Sequence, residues 1–188
     1  MKIRSLRPNV SREEAIAQFN SSGAARWIHE LTLGKLRSVA DAYLPFLLFR
    51  VGILNQGQHE ERLLGVDGVS GSLDLYQFER IPDEHELIVL DTRNCLPAKL
   101  THARAEPMLG AKVRRLIYTR GFFHAHDLKI SYEAVPVELH IPYWLGFRGA
   151  GEAVRLSVID AVRRQPEGAK VRSLFENWLL SKDGESRD

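Results

Sequence analysis

The residue types best suited to chemistry are two aspartates that recur in matching segments. Asp67 lies in RLLGVDGV and Asp160 in RLSVIDAV, and the Arg, the first Leu, the Asp and the last Val coincide without a gap. Two carboxylates brought together could share one proton or hold a cation between them. Each Asp also ends a predicted strand, where its side chain can accept hydrogen bonds from the following turn. The surrounding glycines and serine of the first segment favour the turn interpretation.

Two histidines and a single cysteine are the other candidates. His124 and His126 flank one residue in GFFHAHD, so on a strand they would share a face and could bind one metal ion. No residues at a recognised metal-site spacing accompany them, and we expect neither a metal nor a cofactor. Cys95 has no local base and fits a small buried side chain better than a nucleophile. The catalytic candidates are therefore Asp67, Asp160, His124 and His126, and whether the protein is an enzyme stays open.

Aromatic residues follow a proline in two similar segments, LPFLLFR at 44–50 and IPYWLGFR at 141–148. Because proline lacks an N–H, each segment should lie at the start of a strand or on a sheet edge. Aromatic side chains exposed there could form an apolar binding surface. We predict such a surface from Phe46, Tyr143 and Trp144, with at least one of them accessible to solvent or covered by a second copy. Ordinary core packing is the alternative.

A basic cluster lies in one predicted helix. Lys112, Arg114 and Arg115 could contact the phosphates of a nucleic acid. Cations late in a helix also complement its dipole, and no nucleic-acid-binding motif accompanies these three. The net charge of +2 is too small to indicate a polyanionic partner. We therefore do not expect nucleic acid to be the partner.

Composition limits the class of protein. The chain has 188 residues, of which 44% are hydrophobic and 27% charged, as in globular proteins. The single cysteine excludes an internal disulfide and favours a reducing compartment. No apolar run approaches the ~20 residues of a membrane helix, and the N-terminus lacks the apolar core of a signal peptide. We expect a cytoplasmic protein without a membrane partner.

The elements of the first half follow from caps and alternation. Ser11 and Glu14 form a capping box that predicts a helix through Phe19. Alternating apolar residues then predict strands over 35–42, 43–53, 62–67, 73–78 and 87–90.

The second half repeats this order. A helix is predicted from Pro107, because proline suits the first helical position. Strands are predicted over 128–132, 134–140, 143–147 and 155–162. A last helix follows Gly168, and its apolar side chains recur at helical spacing at Val171, Leu174, Phe175 and Trp178.

Together these patterns predict an α+β fold of two related halves with a C-terminal amphipathic helix. Each half is expected to be a helix packed on an antiparallel meander. The first half with its connector covers 1–97, the second half with the last helix covers 98–182, and 183–188 are expected to be a disordered tail.

A helix over a meander is similar to PepSY-like and cystatin-like modules. VDGVSG at 66–71 resembles the strand-turn signature of PepSY modules, whereas the second copy, IDAVRRQPEG, has no glycine at the matching position. PepSY modules commonly lie outside the cytoplasm. The resemblance implies a fold and no activity.

No convincing catalytic set accompanies the two halves, so the sequence favours a binding or regulatory module without catalytic activity. Its partner would be a second copy or another protein or peptide. Two alternatives stay open. One is an enzyme whose site lies at the junction of the halves, and the other is a nucleic-acid-associated protein that uses the basic helix.

Overall fold

Two long β-hairpins form the centre of the fold. The first joins β2 (Leu36–Asn55) to β3 (Gln58–Asp67), and the second joins β6 (Lys129–Ala150) to β7 (Ala153–Asp160). Strands β2 and β6 pair with each other in antiparallel fashion, so that one sheet spans both hairpins. The structure is a computed structural model that describes residues 1–20, 34–55, 57–119, 128–150 and 153–185.

Shorter elements complete the sheet and cover it. The remaining strands are β1 (Lys2–Leu6), β4 (Tyr76–Phe78), β5 (Leu87–Asp91) and β8 (Gln165–Pro166). The helices are α1 (Arg12–Asn20), α2 (His102–Thr119) and α3 (Ala169–Glu185), with a 3-10 turn at Glu84–Glu86. In the described part of the chain the sheet has eight strands. Six follow the order β4-β3-β2-β6-β1-β5, while β7 pairs with β6 and β8 pairs with β7. The predicted α+β class, with helices on a mainly antiparallel sheet, is confirmed.

Both faces of the sheet are covered. Successive side chains of a strand point to opposite faces, and β2 is buried on both sides. Its Leu44, Phe46 and Leu48 pack in one cluster with Val171 and Phe175 of α3. On the opposite face, Phe49, Val51 and Ile53 pack with Ala105, Leu109 and Val113 of α2, and Val39 packs with Ala15 and Phe19 of α1. The sheet therefore lies between α3 on one face and α1 and α2 on the other.

The apolar stripe predicted for the last helix is confirmed. Val171 and Phe175 are buried, and Leu174 and Trp178 pack against the same cluster from its edge. Helix α3 runs to Glu185. Residues 183–185 are therefore helical where a disordered tail was expected, and 186–188 lie outside the described residues.

Caps set the starts of the other two helices. The Ser11 hydroxyl accepts a hydrogen bond from the Glu14 N–H at 3.1 Å, and the Ser11 N–H donates to the Glu14 carboxylate at 2.7 Å, so the predicted capping box is confirmed. The start predicted for the second helix is wrong, because α2 begins at His102 and contains Pro107. Thr101 is its cap, with the hydroxyl accepting from the Arg104 N–H at 3.4 Å.

The placement of the two prolines at a strand start or sheet edge is also wrong. Pro45 and Pro142 lie within the central strands β2 and β6, each of which is one continuous strand rather than two or three. Each proline lies one residue before the hairpin pair that involves Phe46 or Tyr143, where β3 or β7 ends. The absence of a proline N–H at this position therefore leaves no carbonyl of β3 or β7 without its strand-pairing donor. Pro136 is accommodated by a bulge, since the β2–β6 register shifts between Phe46 and Leu48.

No helix within the described ranges is long and apolar enough to cross a membrane.

Candidate ligand-binding site

The two hairpins match residue by residue at the end where they meet. Strand β3 ends at Asp67, which pairs with Phe46, and β7 ends at Asp160, which pairs with Tyr143. In the turns that follow, the Gly68 N–H donates to the Pro45 carbonyl at 2.7 Å, and the Ala161 N–H donates to the Pro142 carbonyl at 3.1 Å. The segments that match in sequence thus occupy equivalent strands, with the aspartates at equivalent ends.

The contact between the hairpins follows the same symmetry. Tyr43 pairs with Pro142 and Pro45 pairs with His140, so exchanging the halves reproduces the same register about the Leu44–Ile141 pair. Each of the central strands also receives a parallel bridge, from Cys95 to Tyr43 and from Ser5 to His140.

The helices are exchanged between the halves. The Asn9 N–H, just before α1, donates to the Ala161 carbonyl at 2.7 Å in the second hairpin's turn. The Lys99 N–H, just before α2, donates to the Gly68 carbonyl at 2.8 Å in the first hairpin's turn. Each helix therefore packs on the hairpin of the other half, and each also contacts the long strand of its own half, as α1 does at Val39. The two turns are held in place by equivalent backbone contacts, and differences between them arise from their side chains.

Both carboxylate oxygens of Asp67 accept hydrogen bonds from its own turn. Its Oδ1 accepts from the Ser70 N–H at 2.7 Å, the Ser70 hydroxyl at 3.0 Å and the Gly71 N–H at 2.9 Å. Its Oδ2 accepts from the Leu73 N–H at 2.9 Å. The side chain is fully buried, and both oxygens have donors, so Asp67 is a structural residue of the turn.

Asp160 is as buried as Asp67, but only one of its two carboxylate oxygens accepts hydrogen bonds. Its Oδ1 accepts from the Val162 and Arg163 N–H groups, each at 2.8 Å. Its Oδ2 has no hydrogen-bond partner among the described residues. The residue six positions after Asp67 is Leu73, whereas the residue six positions after Asp160 is Pro166, which has no N–H to donate. Burial raises the pKa of Asp160, against the opposing effect of the Arg163 and Val162 N–H donors.

A cavity of about 310 Å³ lies beside this carboxylate, between α3 and the sheet. Its lining includes the aromatic rings of Phe46, Tyr76 and Tyr143. Its charged lining residues are Asp74, Arg163, Glu167 and Lys170. The Phe46 and Tyr76 rings meet edge to face at 5.5 Å between centroids. The Tyr76 hydroxyl is buried and, like Asp160 Oδ2, has no hydrogen-bond partner in the described part of the chain.

The charged groups of the cavity act on one another. The Tyr76 hydroxyl lies close to Asp160, and a weak side-chain hydrogen-bond interaction between them contributes to the pKa shift of each, although the pair lies outside the geometry of an ordinary hydrogen bond. The Arg163 guanidinium carbon lies 3.4 Å from the centre of the Tyr76 ring. Burial and then the Asp160 charge raise the pKa of Glu167, and the same two causes raise the pKa of Tyr143. Glu167 on the cavity lining and Asp160 behind it therefore both lie near the Arg163 guanidinium.

The predicted aromatic surface takes a different form. Phe46 is 3% exposed and Tyr143 is 2% exposed, so these two do not form an exposed patch. Trp144 is half-buried, and its Nε1–H donates to the Val10 carbonyl at 2.9 Å. The reason is the central position of the prolines, which puts the residues after them inside the sheet. Phe46 and Tyr143 line the cavity instead, on the α3 face.

Of the remaining catalytic candidates, Asp67 is not among the residues that line this cavity. No hydrogen bond or ion pair joins Asp67 to Asp160 in the described structure, and His124 and His126 lie outside the described residues. Among the described residues, one cluster has the spacing of a metal site, formed by Asp83, His85 and Glu86 at the surface. Arg80 already forms ion pairs with Asp83 and Glu86 there.

The basic helix contributes to a second depression. Lys112 and Arg115 line a groove of about 510 Å³ together with Ser72, Asp74 and Lys170. The Lys112 ammonium donates to the Leu73 carbonyl, and burial lowers its pKa. Arg114 lies instead near Tyr132, whose raised pKa it partly offsets. The three basic residues predicted as one patch therefore belong to two places.

Sequence reasoning missed Tyr76, Arg163 and Glu167. The usable signal was the contrast between the turns, DGVSGSL after β3 and DAVRRQP after β7. The second turn replaces small donors with arginines and a proline, which removes a hydrogen bond to its aspartate.

No protein-family model matches the chain, and comparison with curated proteins and with solved structures finds no match. The similarity to PepSY-like and cystatin-like modules stays a hypothesis.

Proposed function

We propose that this protein is a binding module without catalytic activity, and that it binds a small molecule in the cavity between α3 and the sheet. One observation carries the proposal: Tyr76 lines this cavity, and its hydroxyl and the neighbouring Asp160 Oδ2, which lies behind the lining, are both buried without a hydrogen-bond partner among the described residues. Buried polar groups in folded proteins almost always have hydrogen-bond partners. A ligand that donates hydrogen bonds at this place would supply them.

The lining indicates the chemistry of that ligand. Binding sites for small molecules are largely apolar, with a few placed polar groups that fix orientation. Here Phe46, Tyr76 and Tyr143 supply aromatic walls, and Glu167 lies beside them with the Asp160 charge close to it. A flat group with N–H donors, such as an amidine or an aromatic amine, suits aromatic walls and a carboxylate.

We infer also that the two halves derive from one duplicated unit. Support comes from the matched registers, the equivalent turn hydrogen bonds and the exchanged helices. On this inference one copy kept a fully satisfied aspartate, and the other lost a donor at Pro166 and gained a ligand site. The duplication would then explain why the site lies on one side of a symmetric sheet.

Benzamidine is a suitable probe, because it joins a flat ring to two N–H donors. We expect it to shift the backbone amide resonances of Tyr143, Arg163 and Val171 in a saturable titration. Asp160→Asn replaces the unpartnered acceptor with a donor and should weaken binding at least about tenfold. Asp91→Asn, a carboxylate change outside the cavity lining, serves as the control and should bind as the unmodified protein does. Equal binding by both variants, or no shifts at the cavity, would refute the proposed site.

One observation favours a second candidate, an enzyme with its site at the same junction. Glu167 lines the cavity, Asp160 lies close to Glu167, and the pKa of each carboxyl group is raised. A carboxyl group with a raised pKa can act as a general acid or base. No nucleophile with an adjacent base lies among the cavity-lining residues, which is why binding is preferred. Turnover of a bound compound that is lost in both Asp160→Asn and Glu167→Gln would favour the enzyme.

Location and protein partners are further proposals. We propose a cytoplasmic location, on the basis of the single cysteine. A second copy or a peptide would have strand β5 as its docking edge, because β5 ends the path of described strands and exposes Val89 by 70%. Light scattering on the Val89→Lys variant would test for a dimer.

A further inference from the structure

A half-buried lysine lines the groove beside the basic helix. Lys112 lies in α2, and the groove of about 510 Å³ also has Ser72, Asp74, Leu75 and Lys170 in its lining. The other lysines whose burial the structure describes are all exposed, namely Lys2, Lys35, Lys99, Lys129 and Lys170. Within this set, Lys112 is therefore the amine that is partly withdrawn from water and still lines a groove.

A hydrogen bond to the backbone holds the amine of Lys112 in place. Its Nζ donates to the Leu73 carbonyl oxygen. A neutral amine keeps two N–H groups and gains a lone pair, so it can still donate this hydrogen bond after it has lost a proton. The contact with Leu73 therefore does not require the positive charge, and the lone pair of the neutral amine can attack an electrophile in the groove.

The surroundings of Lys112 promote the neutral amine. Burial lowers the pKa of Lys112, and the positive charge of Lys170 acts in the same direction. The carboxylates of Asp67 and Asp74 oppose this shift, but Asp67 accepts four hydrogen bonds within its turn and Asp74 forms an ion pair with Lys170. Arg115 lines the same groove one turn further along α2. A lysine becomes nucleophilic when it is desolvated or lies near a second cation, and Lys112 meets both conditions.

We propose that Lys112 is a covalent binding site for a small aldehyde, which it captures as a reversible imine. The Nζ lone pair attacks the carbonyl carbon, and a proton moves from Nζ to the carbonyl oxygen to give a carbinolamine. Loss of the hydroxyl group with the second Nζ proton then releases one water and leaves the imine, so no oxidant or further reactant is needed. Leu75 and Leu116 line the groove and suit an aromatic aldehyde. Capture of this kind is binding without turnover, and it does not depend on the ligand proposed for the cavity.

Benzaldehyde with cyanoborohydride is the probe, because the hydride reduces the imine to a stable benzylamine. Peptide mass spectrometry at neutral pH then gives the rate of benzylation at each lysine. We expect Lys112 to react at least about threefold faster than the exposed Lys99 and Lys129. Lys112→Arg keeps the charge and a donor for the Leu73 carbonyl and should abolish the fast reaction, whereas Lys99→Arg, the matched control, should leave it unchanged. Benzylation of Lys112 no faster than that of Lys99 would overturn the proposal.

The charges beside Lys112 provide a second test that accessibility alone would not pass. Asp74→Asn removes a charge that raises the pKa of Lys112 and should speed its benzylation, whereas Lys170→Gln removes a charge that lowers this pKa and should slow it. Both variants break the same ion pair, so a mere change in access to the groove would alter the two rates in the same direction. The rate at Lys129 is the internal reference. Rates at Lys112 that are unchanged, or that change together in the two variants, would overturn the site.

Discussion

Asp67 and Asp160 end equivalent strands, fully buried, yet Asp67 accepts four hydrogen bonds through both oxygens and Asp160 accepts two through one. The difference makes the pair an internal control, because backbone position and burial are shared. The two side chains differ in whether the second carboxylate oxygen accepts a hydrogen bond. Both oxygens of Asp67 hold its turn, and we propose that the second oxygen of Asp160 contributes to ligand binding.

The two aspartates should respond oppositely to amide substitution. Asp67→Asn places an NH2 group against the Leu73 N–H or the Ser70 and Gly71 N–H groups, and an unsatisfied buried donor costs about 1–3 kcal/mol. Asp160→Asn keeps Oδ1 as the acceptor for Val162 and Arg163 and removes a buried charge with no partner on Oδ2. Its free energy of unfolding at pH 7 should be unchanged or higher. Urea denaturation of both variants measures this, and a loss of stability in Asp160→Asn as large as in Asp67→Asn would contradict it.

The burial of the Asp160 carboxyl group also predicts that the free energy of unfolding depends on pH. Burial raises the pKa of Asp160 in the folded protein above the value of about 4 that an unfolded chain has. The folded state then binds the proton more readily, so its contribution to stability is present below pH 4 and is lost as the pH rises through the folded pKa. Groups that face Asp160 are Tyr76, Tyr143, Arg163 and Glu167, and Glu167 has a pKa shift of the same sign.

Comparison with Asp160→Asn isolates this contribution. The stability difference between variant and unmodified protein should grow from pH 4 upward and then level off. Thermal unfolding at a series of pH values, at constant ionic strength, gives the curve. A difference independent of pH would mean that Asp160 has the same pKa in both states.

Two separate constraints act at Gly71, its positive φ and the side chains that surround its Cβ position. Its φ is +66°, and an added Cβ would collide with the Met108 sulfur and lie 3.2 Å from a Leu100 methyl group of the exchanged helix segment. Gly57 has φ +78° and open space around its Cβ position. Gly57→Ala should therefore cost only the backbone strain, about 1–2 kcal/mol, and Gly71→Ala should cost about 1–3 kcal/mol more. Equal costs in chemical denaturation would show that α2 can move away from the turn.

Much of the fold was predictable because local rules agreed with the packing. The capping box at Ser11, the stripe at Val171 and Phe175, and the match between the segments ending at Asp67 and Asp160 all survive in the structure. The start of α2 was missed, because the cap at Thr101 acts more strongly than the preference of Pro107 for a first position. The central position of Pro45 was missed because it depends on where a different strand, β3, ends.

The candidate site was predictable only in part. Phe46, Tyr143 and Asp160 were singled out from the repeat, but their cavity depends on α3 covering one face of the sheet. Treating the two turns as equivalent also failed to predict how the second turn folds. Arg164 takes the conformation of Gly71, with φ +61°, and its carbonyl accepts from the Gln18 side chain at 3.2 Å. Such a contact comes from the exchange of helices, which residue spacing does not encode.

Helix α3 should depend more on Phe175 than on Trp178. Phe175 is fully buried and meets the Tyr143 ring edge to face at 5.3 Å between centroids, whereas Trp178 lies at the edge of the cluster. Phe175→Ala should cost about 3–5 kcal/mol, and Trp178→Ala should cost clearly less. Because Tyr143 also lines the cavity, Phe175→Leu, which keeps most of the volume, should leave the protein folded but weaken benzamidine binding. Chemical denaturation measures the loss of stability, and the amide titration measures benzamidine binding. A larger loss of stability in Trp178→Ala than in Phe175→Ala would show that Phe175 is not the main anchor of the helix.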